Sequence, residues 1–112
     1  MPLKYFKYFE KDDIADNGLH EDEWTPDEDL VIKRIYLARK DGSSYTKSTF
    51  YLKIAGDVYT EPVIPAVVLG PDKLTSPELD IPIAKGNKLN FTLKNLEGAA
   101  ISSMVTIEAH KP

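Results

Sequence analysis

The side chains with the most reactive chemistry in this sequence are two histidines, since the 112 residues include no cysteine. The absence of cysteine excludes disulfides, a thiol nucleophile, a zinc ribbon and an iron–sulfur site. The sequence also lacks a Gly-x-Ser-x-Gly arrangement, which marks one common type of serine nucleophile for a histidine to activate. We therefore expect His20 and His110 to be exposed to solvent, and the sequence indicates a protein that is not an enzyme.

Carboxylates form the second group with chemical potential, because ten of them lie between residues 10 and 29 together with a single lysine. Asp13, Asn17 and Glu21 occupy three positions of a calcium-binding loop, and Asp16 lies beside them. Two other key positions of that loop carry side chains without an oxygen ligand. The sequence predicts a solvated acidic loop and no cofactor, with calcium at these four residues as the alternative.

The charge of the chain is distributed unevenly. Residues 10–29 carry a net charge of −9, and because the whole chain carries −4, the remaining residues carry +5. An acidic segment repels the phosphates of nucleic acid, and Arg34 and Arg39 are the only arginines that oppose this repulsion. We expect no nucleic-acid partner.

The composition is that of a soluble globular protein, with 42% apolar and 29% charged residues. No apolar run approaches the roughly 20 residues that cross a bilayer. The segment from Met1 to Lys11 lacks the apolar stretch of a secretory signal. We expect one soluble domain over residues 1–112, with no membrane span and no signal peptide.

Aromatic side chains are the residues most suited to binding a partner, because their rings stack on sugars and anchor protein interfaces. Four of them fall within residues 3–9, and others lie in turns or on the polar phase of apolar segments. A structural role is the alternative, in which Trp24 closes one end of the fold and the tyrosines cover sheet edges. The candidates for partner binding are Tyr5, Phe6, Tyr8, Phe9, Trp24, Tyr45, Tyr51 and Tyr59.

The elements that must position these side chains are predicted to be β-strands. Apolar and polar residues alternate in residues 48–55, 88–94 and 101–109, as they do in strands with one buried face. Turn-forming residues separate these segments. About seven or eight such strands predict an all-β fold, an antiparallel two-sheet β-sandwich of jelly-roll or Greek-key type.

Three further segments predict strands with irregular features. The alternation in residues 30–39 shifts phase near Lys33 and Arg34, which predicts either a bulge or burial on both faces. Pro82 cannot donate a ladder hydrogen bond and predicts either an edge strand or a bulge around it. The apolar run over residues 63–69 contains another proline and predicts a strand with an irregular start.

The N-terminal segment predicts a further strand or a short amphipathic helix, because its aromatic rings must be covered. Residues 1–9 either pack on their own domain or act as an arm that crosses to a neighbouring subunit. Residues 10–29 then form the acidic loop between this segment and the sandwich.

A resemblance to known proteins adds to this interpretation. Three segments carry it: Trp24-Thr25-Pro26 through Leu30-Val31-Ile32, Lys85-Gly86-Asn87-Lys88-Leu89-Asn90-Phe91-Thr92-Leu93, and Ile101 to Ala109. In strand rhythm and turn placement over residues 24–109, the chain resembles small β-sandwich proteins on the particles of tailed bacterial and archaeal viruses, such as head-decoration, vertex and fibre-tip proteins. The resemblance implies a non-enzymatic jelly roll, commonly trimeric, that is attached to a capsid or displayed for host contact.

Two hypotheses of function follow. The first is a virion structural protein, a capsid decoration, vertex or fibre component whose copies form a homo-oligomer, with a trimer as the state that the resemblance implies. Its partners are capsid or other virion proteins, and its location is the virion. The second is a carbohydrate-binding module that holds a glycan on exposed aromatic rings, for which the candidates are Trp24, Tyr45, Tyr51 and Tyr59.

Overall fold

The structure, a computed structural model, describes residues 4–58, 63–72 and 74–112. These residues form nine β-strands and one short 3-10 helix, Ala66–Leu69, and they contain no α-helix. The strands are β1 Lys4–Ile14, β2 Leu19–Trp24, β3 Leu30–Arg39, β4 Thr49–Ile54, β5 Asp57–Val58, β6 Ile64–Pro65, β7 Ile81–Ile83, β8 Leu89–Lys94 and β9 Ile101–His110.

The strands form two antiparallel sheets with the topology of a jelly roll. Sheet 1 has the order β1-β9-β3-β7, and sheet 2 has the order β2-β8-β4-β5, with β6 also paired to β4. The chain therefore pairs β1 with β9, β2 with β8, β3 with β7, and β4 with the two short strands that follow it. This nested pairing is that of a long hairpin folded over itself, which is a jelly roll. The predicted all-β sandwich is confirmed.

The core lies between the two sheets and consists of the residues that alternate along their strands. Three phenylalanine rings meet within it, where the Phe91 centroid lies 5.1 Å from that of Phe9 and 5.9 Å from that of Phe50. The predicted alternation of β4, β8 and β9 is confirmed, since their buried apolar residues are Phe50, Leu52, Ile54, Leu89, Phe91, Leu93, Ile101, Val105, Ile107 and Ala109.

At two predicted irregularities the structure shows which alternative applies. The register between β3 and β9 shifts between Ile32 and Arg34, which confirms the bulge as the cause of the phase shift in the sequence. The strand that contains Pro82 lies at the edge of sheet 1. An edge strand tolerates proline because one side of its backbone has no ladder partner to lose.

The acidic segment 10–29 is not a loop, contrary to the expectation. The first strand continues to Ile14, and β2 occupies Leu19–Trp24, so only two short connections remain. The cause is that β2 is an edge strand whose single buried residue is His20. Its exposed acids hide the alternation by which a strand is recognised in sequence.

The predicted strand over residues 63–69 is wrong beyond Ile64–Pro65, which form β6. The chain then enters the 3-10 helix, which buries Ala66 and Leu69 and leaves the two valines between them exposed. A short apolar run does not distinguish a strand from a helical turn by periodicity alone.

The part of the N-terminal segment that the structure describes is a strand of the sandwich. From Lys4 to Phe9 it pairs with β9 of the same chain, between His110 and Val105. It is therefore a strand of sheet 1 and not an amphipathic helix. Residues 1–3 of the predicted arm lie outside the described residues.

One end of the sandwich is held by two polar residues of the β8–β9 connection. The fully buried Asn95 amide donates hydrogen bonds of 2.8–3.2 Å to three backbone carbonyls. The Glu97 carboxylate accepts hydrogen bonds from backbone amides and hydroxyls of residues 46–48. Burial alone would raise the pKa of Glu97, but these hydrogen bonds lower it to about 2. The carboxylate therefore stays ionised and fixes the β3–β4 connection.

Candidate functional site

The structure separates the aromatic candidates into buried and accessible groups. Phe9 and Tyr45 are 7% and 3% exposed, which removes both from the surface that a partner can contact. Tyr51 is half-buried on the outer face of sheet 2, where it pairs with β8. Tyr59 lies outside the described residues. The remaining candidates lie at the edge of the sandwich formed by β1 and β2, and they are Tyr5, Phe6, Tyr8 and Trp24.

The burial of Phe9 and Tyr45 has a physical cause in each case. Phe9 alternates with the outward Tyr8 on β1 and therefore faces the core, where it contacts Phe91 edge to face. Tyr45 lies in a connection, but its side chain turns inward and its hydroxyl donates to the Ala38 carbonyl at 3.2 Å. Burial raises the pKa of Tyr45, so the hydroxyl remains protonated.

The outward side of β1 presents two exposed rings, Phe6 at 60% and Tyr8 at 49%. Tyr8 pairs in register with Thr106 of β9, which pairs with Tyr36 of β3. The Tyr36 side chain therefore lies on the same face of sheet 1, two strands away from Tyr8. We call the surface formed by Phe6, Tyr8 and Tyr36 the aromatic face.

A buried carboxylate lies beside the aromatic face. Glu108 is 3% exposed although it points outward from β9, because Arg34, Tyr36 and His110 surround it. The Tyr36 hydroxyl donates to Glu108 at 2.6 Å, and His110 Nε2 lies 2.7 Å from the other carboxylate oxygen. Burial would raise the pKa of Glu108, but the hydrogen bonds from Tyr36 and His110 lower it. His110, expected to be exposed, is therefore half-buried and held in place.

Tyr36 is fixed by the same network. Burial and the hydrogen bond to Glu108 raise the pKa of Tyr36 to about 12. Its hydroxyl therefore stays protonated and keeps donating to the carboxylate at neutral pH. The ring consequently has a defined position at the border of the aromatic face.

A groove of about 410 Å³ lies at the same edge, between β1 and the β2–β3 connection. We call it the edge groove. Tyr5 and Trp24 are half-buried and pack against the core, and each also lines the groove. The side chains that give the groove its chemistry are Tyr5, Lys7, Trp24, Thr25, Asp27 and Glu28.

Glu28 is the most constrained polar group of the edge groove. The Tyr5 hydroxyl donates to one carboxylate oxygen at 2.6 Å, and Lys111 Nζ lies 3.2 Å from the other. These contacts, first from Tyr5 and then from Lys111, lower the pKa of Glu28. The groove therefore contains an ionised carboxylate in a fixed position at neutral pH.

The opposite edge of the sandwich exposes aliphatic side chains. It lies beyond β6 and β7, on the far side of both sheets from β1 and β2. Two hydrogen bonds attach the segment around Gly70 and Ser76 to β3. The Leu37 amide donates to the Gly70 carbonyl at 2.9 Å, and the Ser76 hydroxyl donates to the Ile35 carbonyl at 3.0 Å. We call this surface the aliphatic edge, and its exposed residues are Val63, Val67, Val68 and Leu74.

The four calcium candidates do not converge on one site. Asp13, Asp16 and Asn17 lie around the turn after β1, where Asp16 accepts a hydrogen bond from the Gly98 amide at 3.0 Å. Glu21 lies on β2, away from that turn. Within the described ranges, no group of three or more histidine or acidic side chains is placed to hold a metal ion.

The expectation that His20 is exposed is wrong, since the ring is 2% exposed and lies in the core. Its Nδ1 lies 2.5 Å from the hydroxyl oxygen of Ser103, and its ring meets Phe91 edge to face. Its Nε2 has no hydrogen-bond partner among the residues that the structure describes. Because Ser103 is fully buried as well, no substrate reaches this serine–histidine pair while the two sheets are packed together.

The sequence contained one signal of this pair. Ser103 falls on the apolar phase of β9, where a lone polar side chain requires a partner in the core. The partner was not identifiable because His20 is 83 residues away along the chain. The fold brings the two residues together, because β2 of sheet 2 directs His20 towards Ser103 on the inner side of sheet 1.

Comparisons of the chain with models of protein families, with curated proteins and with solved structures find no match. No helix among the described residues has the length and apolar character needed to cross a membrane. The function is therefore inferred from the surfaces and the groove themselves.

Proposed function

We propose that this chain is a structural protein of a virus particle, a capsid decoration, vertex or fibre component that acts through association of its copies and not through catalysis. The observation that carries the proposal is that exposed apolar side chains lie on two opposite edges of the jelly roll. The exposed rings of the aromatic face, Phe6 and Tyr8, lie on the edge strand β1 and point outward from sheet 1, and the aliphatic edge lies on the opposite side of the sandwich. Contiguous exposed apolar surface is typical of protein interfaces.

Two unlike surfaces on opposite edges favour a ring of subunits. A two-fold dimer places one surface against its own copy, whereas a ring joins two different surfaces head to tail. When the aromatic face of one subunit contacts the aliphatic edge of the next, every subunit buries both surfaces. We propose a closed ring of this kind, a trimer as in the virion proteins that the chain resembles.

The charges on β1 support contact through side chains and not through the strand edge. β1 is a long edge strand, and such strands tend to pair with other strands unless charged residues oppose it. Lys7 and Lys11 are exposed and place charge along this edge. The surface left for association is therefore the aromatic face, where Phe6 and Tyr8 point outward.

The architecture is compatible with this role, because jelly rolls form capsid domains of viruses and also lectin domains. Since a fold does not determine a function, the proposal depends on the exposed surfaces. Attachment to a capsid or to another virion protein requires a further surface. The outer face of sheet 2 is the surface that the proposed ring leaves uncovered.

Size-exclusion chromatography with light scattering tests the association. The wild-type chain should form a stable oligomer, and the double variants Phe6→Ser/Tyr8→Ser and Val67→Ser/Val68→Ser should each reduce its mass to that of a monomer, because every interface in the ring needs both surfaces. Tyr51→Ser on the outer face of sheet 2 is the matched control and should keep the full oligomer. A monomeric wild type would contradict the proposal.

The virion location is tested separately by the genes that surround the coding sequence. Neighbouring capsid, portal or tail genes would support it. A neighbourhood of metabolic genes only, combined with absence of the chain from purified particles by mass spectrometry, would contradict it.

A further inference from the structure

The edge groove differs in kind from the two apolar surfaces, because ring surface and polar side chains line it together. Tyr5 and Trp24 supply the ring surface, and Thr25, Asp27 and Glu28 supply hydrogen-bonding groups. Its volume of about 410 Å³ lies within the range of about 300–1,000 Å³ that is typical of small-molecule sites. The groove is therefore large enough for a small ligand.

The rings of the groove are fixed before a ligand arrives. Tyr5 and Trp24 pack against the core on one side, and the Tyr5 hydroxyl is hydrogen-bonded to Glu28. A side chain already held in position loses little conformational entropy on binding, so stacking against it costs little. The groove is prepared for a ligand that has an apolar face.

The polar groups of the groove are of two kinds. One already has protein partners, and the others are available to a ligand. Glu28 is held between Tyr5 and Lys111. Thr25 and Asp27 make no side-chain hydrogen bond to the residues that the structure describes, and both are exposed. A ligand with several hydroxyl groups matches this set, because a carboxylate only accepts hydrogen bonds and a threonine hydroxyl both donates and accepts.

The charges of the groove and its border balance. Asp27 and Glu28 contribute two negative charges, and Lys7 and Lys111 contribute two positive charges. A site with no net charge gains little from an anionic or a cationic ligand. The chemistry that fits is therefore a neutral molecule with an apolar face and many hydroxyls.

We propose that the edge groove binds a neutral sugar. The apolar face of the sugar ring stacks on Trp24, and its hydroxyls hydrogen-bond to Thr25 and to the carboxylates of Asp27 and Glu28. This function is additional to subunit association. Of the aromatic candidates for a glycan platform, Trp24 lines the groove, and Tyr5 is added to it by the structure. Tyr45 is buried, Tyr51 lies on the outer face of sheet 2, and Tyr59 lies outside the described residues.

A glycan array with neutral and acidic oligosaccharides identifies the ligand, and isothermal titration with the methyl glycoside of the strongest neutral binder measures its affinity. Trp24→Ala should weaken binding at least ten-fold, and Asp27→Ala should weaken it several-fold. Tyr51→Ala is the matched control, because it removes an aromatic side chain outside the groove, and should bind like the wild type. The variant Val67→Ser/Val68→Ser at the aliphatic edge should also retain binding, which separates this site from association. Phe6 is left unchanged in this test because it lines the groove.

The outcomes decide the proposal in either direction. A thermal melt of each variant shows whether it folds, and if Trp24→Ala does not fold, the exposed Asp27→Ala variant decides. Binding to no neutral glycan, a preference for acidic glycans, or unchanged affinity in the folded groove variants would overturn it. Loss of the oligomer in Trp24→Ala without any glycan binding would assign the groove to a protein contact and also overturn it.

Discussion

The two edges of the sandwich expose apolar side chains on backbones of different kinds. At one edge, Phe6 and Tyr8 belong to β1, an eleven-residue strand that pairs with β9. At the other, Val67 and Val68 belong to a 3-10 helix, and Leu74 belongs to a turn. Strand pairing fixes the direction of each side chain on β1, whereas the aliphatic edge depends on a few hydrogen bonds for its shape.

The difference indicates that the two edges respond differently to substitution. On β1, neighbouring residues face opposite sides of sheet 1, so one position affects the core and the next affects only the surface. At the aliphatic edge, the backbone conformation itself decides whether the surface exists. Substitutions that separate side-chain effects from backbone effects therefore distinguish the edges.

The largest effect is expected on β1. Phe9→Ala removes a buried ring that packs on Phe91 and should lower the free energy of unfolding by about 3–5 kcal/mol. Tyr8→Ala, on the outward side, should lower it by less than about 1 kcal/mol. Urea unfolding measures both variants and the wild type at a protein concentration low enough that light scattering shows monomers, so that association does not add to the stability. Equal losses would contradict the assigned direction of these side chains.

The next effect is expected at the aliphatic edge. Gly70 has a φ of 65°, and a Cβ there would lie 2.8 Å from the Thr75 carbonyl carbon and 3.0 Å from the Ser76 amide nitrogen. Gly70→Ala should therefore lower the free energy of unfolding by about 2–4 kcal/mol and weaken association. Gly86→Ala is the matched control, because its φ is 83° but no atom lies within 4 Å of the added Cβ.

Gly86→Ala should cost only about 1 kcal/mol, from backbone conformation alone, and should leave association intact. Denaturant unfolding and light scattering on the two variants give the comparison. A Gly86→Ala variant as unstable as Gly70→Ala would show that close packing around Gly70 does not shape the aliphatic edge.

A smaller loss of stability is expected when the pH is lowered, and it should occur in the part of the molecule that contains β2. Burial lowers the pKa of His20, while Asp22 raises it and Lys11 lowers it further. The unfolded chain therefore binds this proton at a higher pH than the folded chain does, and the free energy of unfolding should fall as the pH drops below about 6.5. Above that pH, the full stability from neutral His20 is present.

Hydrogen exchange at pH 7 and pH 5 measures where this loss occurs. After correction for the intrinsic exchange rate at each pH, protection factors should fall first in β2 and in β9 around Ser103, while those in residues 63–72 change less. His20→Gln should reduce the change with pH, because its side chain does not titrate. A wild type whose protection factors in β2 are the same at both pH values would contradict the buried histidine.

Much of the fold was predictable from sequence, because central strands show their burial directly. The alternation of Leu89, Phe91 and Leu93 predicts both the strand and its inward face, and the phase shift near Lys33 predicts a bulge as one of two alternatives. An edge strand does not show this pattern. β2 carries a buried His20 among exposed acids, so local hydropathy indicates a loop where sheet pairing with β8 makes a strand.

The site was predictable only in part, because it depends on contacts between distant segments. Aromatic type alone identified Tyr5 and Trp24 as candidates, but the groove that joins them exists because β1 and the β2–β3 connection meet at one edge. The same reasoning selected Tyr45, whose connection turns its ring into the core. Sequence gives no sign of Glu108 as a buried group, because its cover comes from Tyr36 on another strand and from His110.

The most direct test of head-to-tail association mixes the two association variants. Phe6→Ser/Tyr8→Ser keeps an intact aliphatic edge, and Val67→Ser/Val68→Ser keeps an intact aromatic face, so the mixture restores one complete interface. Light scattering on an equimolar mixture should show a one-to-one heterodimer that neither variant forms alone. If the mixture stays monomeric while the wild type is oligomeric, the two edges do not contact each other and the proposed ring is contradicted.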